Sequence, residues 1–446
     1  MHPILVRIPL PSWKFFGELS SIPIHSYGVM LGLSLVVGWY LTLGLAERDR
    51  LPKETLANCY VFTALCAVIM SRILYYVTNP GEFKSFWEIF ALWRGGLVAY
   101  GGFLGGFIGS VIYLRRHKVP LWPWGDVAAP SLASGLLLTR LGCYLFGCDF
   151  GKPLPPGAPE WLKKIGTFPH WPEGTLPHGS GSPAWVQHVQ HHLVDFDSTA
   201  SLPVHPTQIY EALVGAFLLA LVFWVRKNLR FRGQVFLIFT FAYGVLRFLL
   251  EMIRDDLERG EFGPHIAEHF LIAGGLLLFA IAYVVCLAPS VTDPTMRRMT
   301  QVLAFVPSIV AYLVLKPPSF ADQALVQLST SQWVAILTVL PAAAAYAIYF
   351  KAAEAHPESA LAIDLEAFYR MHPEAAVEAK PEESEPVSEK VLPPKADEPL
   401  EGEATKKEDP KKEEVAPQAE SAPSAPTTMS TAGESKTTAS ADKEPA

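Results

Sequence analysis

The stretch Gly233–Asp255, GQVFLIFTFAYGVLRFLLEMIRD, carries Arg247 and Glu251 inside a run otherwise apolar enough to cross a bilayer. A charge at membrane depth is costly and persists where it faces a protein interior or a wet cavity. At helical pitch Tyr243, Arg247, Glu251 and Arg254 fall on one face, because steps of four, four and three residues return near the same azimuth. A chain holding such a helix must pack other helices against that stripe. Six more apolar runs are available: His25–Leu45, Ala57–Val77, Leu97–Leu114, Gly125–Gly147, Pro206–Val225 and His265–Leu287. Runs of about 18 residues or more read as membrane helices. The expected fold class is therefore an all-α polytopic membrane protein, with a seven-helix transmembrane core over residues 1–290. Met299–Leu315, interrupted by Pro307, and Trp333–Phe350 are expected to add one or two membrane helices within 291–356. From 357 to 446 the chain turns to Glu, Lys, Pro, Ala, Ser and Thr, a composition that cannot bury a core and predicts a disordered tail.

Much of the acid lies in that tail, so the net charge of -7 says little about partners, and no nucleic-acid partner is expected. Met1–Ile24 reads as a Pro-punctuated lead-in at the interface, Phe83–Trp93 as a short amphipathic surface helix. No cleavable signal peptide is evident, and the first span is expected to do the targeting. Basic residues follow spans one, three and five: Arg48, Arg50 and Lys53; Arg115, Arg116 and Lys118; Arg226, Lys227, Arg230 and Arg232. The positive-inside rule makes those loops cytoplasmic and puts the amino terminus and the polar insert 148–204 on the other side. His25, Tyr27, Tyr100, Arg140, His205, Gln208, Tyr210, Glu211, Tyr243, Arg247 and Glu251 then fall at one depth, near the outer headgroups. Scattered structural polar residues need not do this; a shared cavity would. Two guanidiniums there suit a phosphate, which they bind with paired donors. Cys143 and Cys148 are open to two readings, an outer-face disulfide or small free residues. Neither they nor the other three cysteines match zinc spacing, and no metal or cofactor is expected.

With these residues in hand, the chain resembles the prolipoprotein diacylglyceryl transferase family. The resemblance is carried by His25-Ser26-Tyr27-Gly28, Gly95-Gly96-Leu97-Val98-Ala99-Tyr100-Gly101-Gly102, Arg140-Leu141-Gly142, His205-Pro206-Thr207-Gln208-Ile209-Tyr210-Glu211, and Tyr243-Gly244 through Arg247, Glu251 and Arg254. These come in the family's order over roughly residues 20 to 290. The last two apolar runs and the tail fall outside it. Tyr100 stands where the family pattern has His, and Cys143, Phe146 and Cys148 stand where its signature continues with Asn, Asn and Glu. A cysteine-bearing version of that segment looks like a subgroup of the same family.

The resemblance implies a bacterial inner-membrane enzyme that moves the diacylglyceryl group of phosphatidylglycerol to a cysteine thiol in prolipoprotein signal peptides. Its insert would be periplasmic. For that transfer the residues permit a site in which Arg140 and Arg247 clamp the phosphate, Glu251 orients Arg247 or the lipid glycerol, and Tyr100 or His25 takes the thiol proton. Tyr27, Gly101, Gly102, Gly142, His205, Gln208, Tyr210, Glu211, Tyr243 and Arg254 would line the substrate. The alternative is a catalytically altered paralogue that binds lipid as an accessory membrane protein. A transporter is a further rival, disfavoured because the polar residues share one depth and no inverted repeat is seen.

Overall fold

The computed structural model describes residues 3–9, 21–83, 85–90, 96–171, 181–255, 260–318 and 324–378. The tail expected over 379–446, part of the lead-in, Gly95 and the end of the proposed surface helix lie outside the described residues. The described chain is mostly helical. Its long helices are α1 (Ser26–Arg48), α2 (Lys53–Thr78), α3 (Ala99–Arg116) and α4 (Leu121–Phe146), then, after two short insert helices α5 (Glu160–Ile165) and α6 (Pro183–Gln190), α7 (Thr207–Lys227), α8 (Gln234–Glu251), α9 (Glu268–Ala282), α10 (Pro294–Leu315) and α11 (Thr330–Ala355). Among the described residues, seven are long and apolar enough to cross a membrane: α1, α2, α7, α8, α9 with its following turns, α10 and α11. The protein is a multi-pass membrane protein. The stretches expected as spans three and four are also helical, as α3 and α4, but are not among those seven.

Helix pairing follows the small residues. α1 packs on α4, α2 on α3, α4 on α7, α7 on α8, and α8 on α11. At Gly215 of α7 an added Cβ would lie 2.6 Å from the Leu137 nitrogen of α4, so the two backbones meet there and admit no side chain. Gly101 of α3 sits equally close to α2, where a Cβ would be 2.6 Å from Ser71 Cα. Close approach of this kind is how helices associate where lipid removes any hydrophobic drive. At the end where α8 begins, buried Asp126 accepts hydrogen bonds from the backbone nitrogens of Gly233 (2.6 Å), Val235 (2.9 Å) and Phe236 (3.2 Å). Its carboxylate satisfies orphan donors of the first turn of α8.

The structure corrects several expectations. Within the lead-in, strands β1 (Ile4–Pro9) and β2 (Ser21–His25) pair antiparallel, which the sequence reading did not foresee. Within the described part of the proposed surface helix, Phe86–Phe90 forms a 3-10 helix. The seventh run does not start a helix at His265, because Glu261–Ala267 forms strand β3 and α9 begins at Glu268. The packing of the late helices adds to the expected order of spans. α8 packs more extensively on α11 than on α9, which meets it through Phe248, while α9 and α10 pack chiefly on each other as a hairpin. Strand β4 (Leu325–Ser329) pairs with β3, Glu261 opposite Ser329 and Ala267 opposite Leu325, and so closes the neck of that hairpin. The chain leaves the bundle after α8, runs out and back, and re-enters as α11. Finally, residues 357–378 are not coreless. They carry α12 (Glu366–Met371) and α13 (Pro373–Glu378), with Leu365 and Phe368 buried beside Leu45, Leu56 and Leu114. Arg232 holds this segment through Nε to the Leu361 carbonyl at 3.0 Å. A local apolar pair, masked by the average composition, docks it.

Candidate active site

Charged side chains from separate helices converge where α7 and α11 begin and α4 and α8 end. Glu211, one turn into α7, is buried and receives two guanidiniums. Arg140 of α4 meets its Oε2 through Nε, and Arg247 of α8 meets its Oε1 through Nη1 at 2.7 Å. Arg247 Nη1 also pairs with Glu251 Oε2, one turn along α8, at 2.9 Å. Gly147 (φ +85°) ends α4 in the left-handed region, and Asp149 follows in the same region (φ +57°). This sharp reversal turns the Asp149 carboxylate back to Arg140 Nη1 (2.8 Å) and across to Arg254 Nη2 (2.5 Å). The turn is pinned from α7: Gln208 Nε2 donates to the Cys148 carbonyl and Thr207 Oγ1 to the Asp149 carbonyl, each at 2.5 Å.

Three guanidiniums therefore face three carboxylates, and the network is formally neutral. Neutrality matters, because an unpaired buried charge costs several kcal/mol. Two donors remain. Among the described residues, Arg140 Nη2 and Arg247 Nε hydrogen-bond to nothing, whereas Arg247 Nη2 donates to Ser331 Oγ of α11 at 2.9 Å. The Tyr100 hydroxyl of α3 lies 2.5 Å from the same Ser331 oxygen. Burial opposes ionisation of Asp149, but Arg140 and Arg254 hold its carboxyl well below the usual carboxylate range.

The expected site residues divide into groups. Arg140, Glu211, Arg247, Glu251, Arg254 and, through Ser331, Tyr100 form one network. Tyr243 feels the charges of Arg247, Glu211 and Arg140 and stacks on Phe239. Tyr27 lies near the Asp149 carboxylate and the Arg140 guanidinium. Gly142 lets α4 approach α1, with an added Cβ 3.4 Å from Tyr27 Cα. Gly101 serves the contact with α2, while Gly102 has only distant neighbours. His25 is not joined to the network; its ring lies edge-on to Phe146 at 6.4 Å. His205 turns to the Tyr210 hydroxyl at 3.4 Å, apart from the charges. Cys143 and Cys148 are free thiols, and their sulfurs and the Asp149 carboxylate lie within 4.8 Å of one another. Hydrogen bonding to Cys143, with burial, pushes the Cys148 thiol up. The guanidiniums already on Asp149 would repel a cation there.

Sequence reasoning missed Asp149 and Ser331. The first was signalled only by an acid closely following the arginine-bearing span. The second sits in Ser329-Thr330-Ser331-Gln332, whose S-x-x-Q spacing marks a capping box.

A family model described as prolipoprotein diacylglyceryl transferase matches residues 14–350. The chain belongs to that family. The match passes residue 290 and takes in most of α11, so the resemblance reaches further than the motifs suggested. Among relatives named phosphatidylglycerol–prolipoprotein diacylglyceryl transferase, the Geobacillus kaustophilus protein is 31% identical over 252 residues, covering 55% of this chain and 82% of the relative. The Thermus thermophilus protein is 30% identical over 245 residues, covering 52% and 81%. The Oceanobacillus iheyensis protein is 24% identical over 241 residues, covering 54% and 76%.

Proposed function

We propose that this transferase moves the diacylglyceryl group of phosphatidylglycerol to the lipobox cysteine of prolipoproteins in the bacterial inner membrane. The observation that carries the reading is the meeting of Arg140 and Arg247 on Glu211, with one N–H-bearing nitrogen of each left for a ligand. The lipid phosphate takes Arg140 Nη2 and Arg247 Nε. The carboxylates stay in place and keep the guanidiniums oriented. The acceptor thiol must lose its proton to attack. Its sulfur bonds to the glyceryl carbon bearing the phosphate ester, the C–O bond breaks, and glycerol phosphate leaves with its charge held by the arginines. The thiol proton is relayed through the Tyr100 hydroxyl, which gives up its own proton to the departing glycerol phosphate; Tyr100 is joined to the network and His25 is not. One such preorganised donor is typically worth about 3–4 kcal/mol in the transition state. The basic loops are cytoplasmic, so the amino terminus, the insert and the site face the periplasm.

The test is incubation of the purified protein with phosphatidylglycerol and a lipobox peptide, read as added mass on the peptide cysteine. Arg140→Ala and Arg247→Ala are each expected to lose roughly a hundredfold or more in rate. Full activity in either variant removes the clamp. Binding of the lipid without transfer by the wild type favours the accessory-protein alternative.

A further inference from the structure

Ser331 stands between two site residues that belong to different helices. Its hydroxyl lies 2.9 Å from Arg247 Nη2 of α8 and 2.5 Å from the Tyr100 oxygen of α3. We propose that Ser331 is a positioning residue of the transfer reaction, holding the Tyr100 phenol at a fixed place beside the Arg247 guanidinium. The inference rests on the transferase reading above and adds to it a helix the motifs did not implicate.

The chemistry of the hydroxyl supports the assignment. A serine oxygen has one donor and two acceptor lone pairs. A guanidinium can only donate, so Arg247 fixes one lone pair and leaves the remaining capacity aimed at Tyr100. Tyr100 hydrogen-bonds to nothing else among the described residues. Serines in the first turn of a helix ordinarily bond their own backbone. Ser331 does not: capping of α11 falls to Ser329, whose Oγ accepts from Gln332 N at 3.2 Å while Gln332 Oε1 accepts from Ser329 N at 3.0 Å. Thr330 N donates to the Gly260 carbonyl at 3.0 Å, tying the same turn to the strand side of the neck. The first turn of α11 is thus held without help from Ser331, and its hydroxyl serves the site. Support of this kind from outside the reacting groups keeps a catalytic group in productive geometry.

The bland alternative is that the serine only glues α11 to α8, as polar side chains do between membrane helices. Comparing Ser331→Thr with Ser331→Val separates the two, since these side chains share a shape and differ in the hydroxyl. The full chain is assayed with phosphatidylglycerol and a lipobox peptide, alongside Tyr100→Phe and the Tyr100→Phe/Ser331→Val double variant. Expected are kcat for the Thr variant at least about tenfold above that for Val, with KM for the lipid alike within about twofold. The double variant should match Tyr100→Phe within about twofold, because residues acting as a unit are not additive. Equal kcat in the Thr and Val variants, a difference confined to KM, or losses that multiply in the double variant would overturn the proposal. Failure of the wild type to transfer would instead sink the transferase reading, so the two failures are distinguishable.

Discussion

Glu211 shows how a buried carboxylate can organise a site without touching a reactant. It sits between Arg140 and Arg247 and cancels charge that the interior would otherwise have to solvate. Replacing it by Gln leaves the network with an excess positive charge. Loss of one partner from a buried pair costs about 3–5 kcal/mol, so Glu211→Gln should lower the melting temperature in detergent as well as the transfer rate. A variant that melts with the wild type would show that the pairing is not structural. At this scale the sequence was readable wherever a charge interrupted an apolar run, as at Arg140, Arg247 and Glu251. It was unreadable at Asp149, which lies in a polar insert where one more acid is unremarkable, and at Ser331, since a serine at a helix start usually caps. His25 and His205 drew notice because they titrate, yet proximity in the chain to site motifs did not bring them to the charges.

Between elements, the alignment of α4 with α7 decides whether Arg140 reaches Glu211. Gly215 lies one turn beyond Glu211, and its missing side chain lets the Leu137 backbone, three residues before Arg140, come close. Gly215→Val should wedge the helices apart and reduce transfer roughly tenfold or more without altering any charged residue; unchanged kinetics would mean the crossing tolerates the wedge. The insert makes a separate prediction. Burial lowers the affinity of His188 for a proton, outweighing the opposing pull of Asp255, and Leu202 N donates to its Nδ1 at 3.2 Å. A histidine depressed in the folded state is protonated first in the unfolded state, so stability is present above the unfolded value and is lost as pH falls. Protection of insert amides such as Phe168 and Val204 against hydrogen exchange should therefore weaken as pH drops below about 6.5. Constant protection down to pH 5 would count against this. Helix existence was legible from apolar runs. Helix partners were not: α11, remote from α8 in the sequence, packs on it more extensively than α9 does.

Over the whole molecule, the antiparallel neck brings the two ends of a long excursion together. Residues facing each other across such a ladder are about 4.5–5.5 Å apart at Cα, a gap that a two-residue turn spans. Glu261 and Ser329 are such a pair. A chain shortened to join them through a tight turn would lose α9 and α10 yet still deliver Ser331 to Arg247 and Tyr100. The surface so uncovered, around Phe248, is apolar, and acyl chains would wet it about as well as α9 does. Such a deletant is expected to insert, and to transfer at a rate within about tenfold of the parent; an inert but intact product would show that the hairpin helps the reaction. The neck thus marks a suture line along which a pair of membrane helices can be removed, or another pair grafted, without re-laying the bundle.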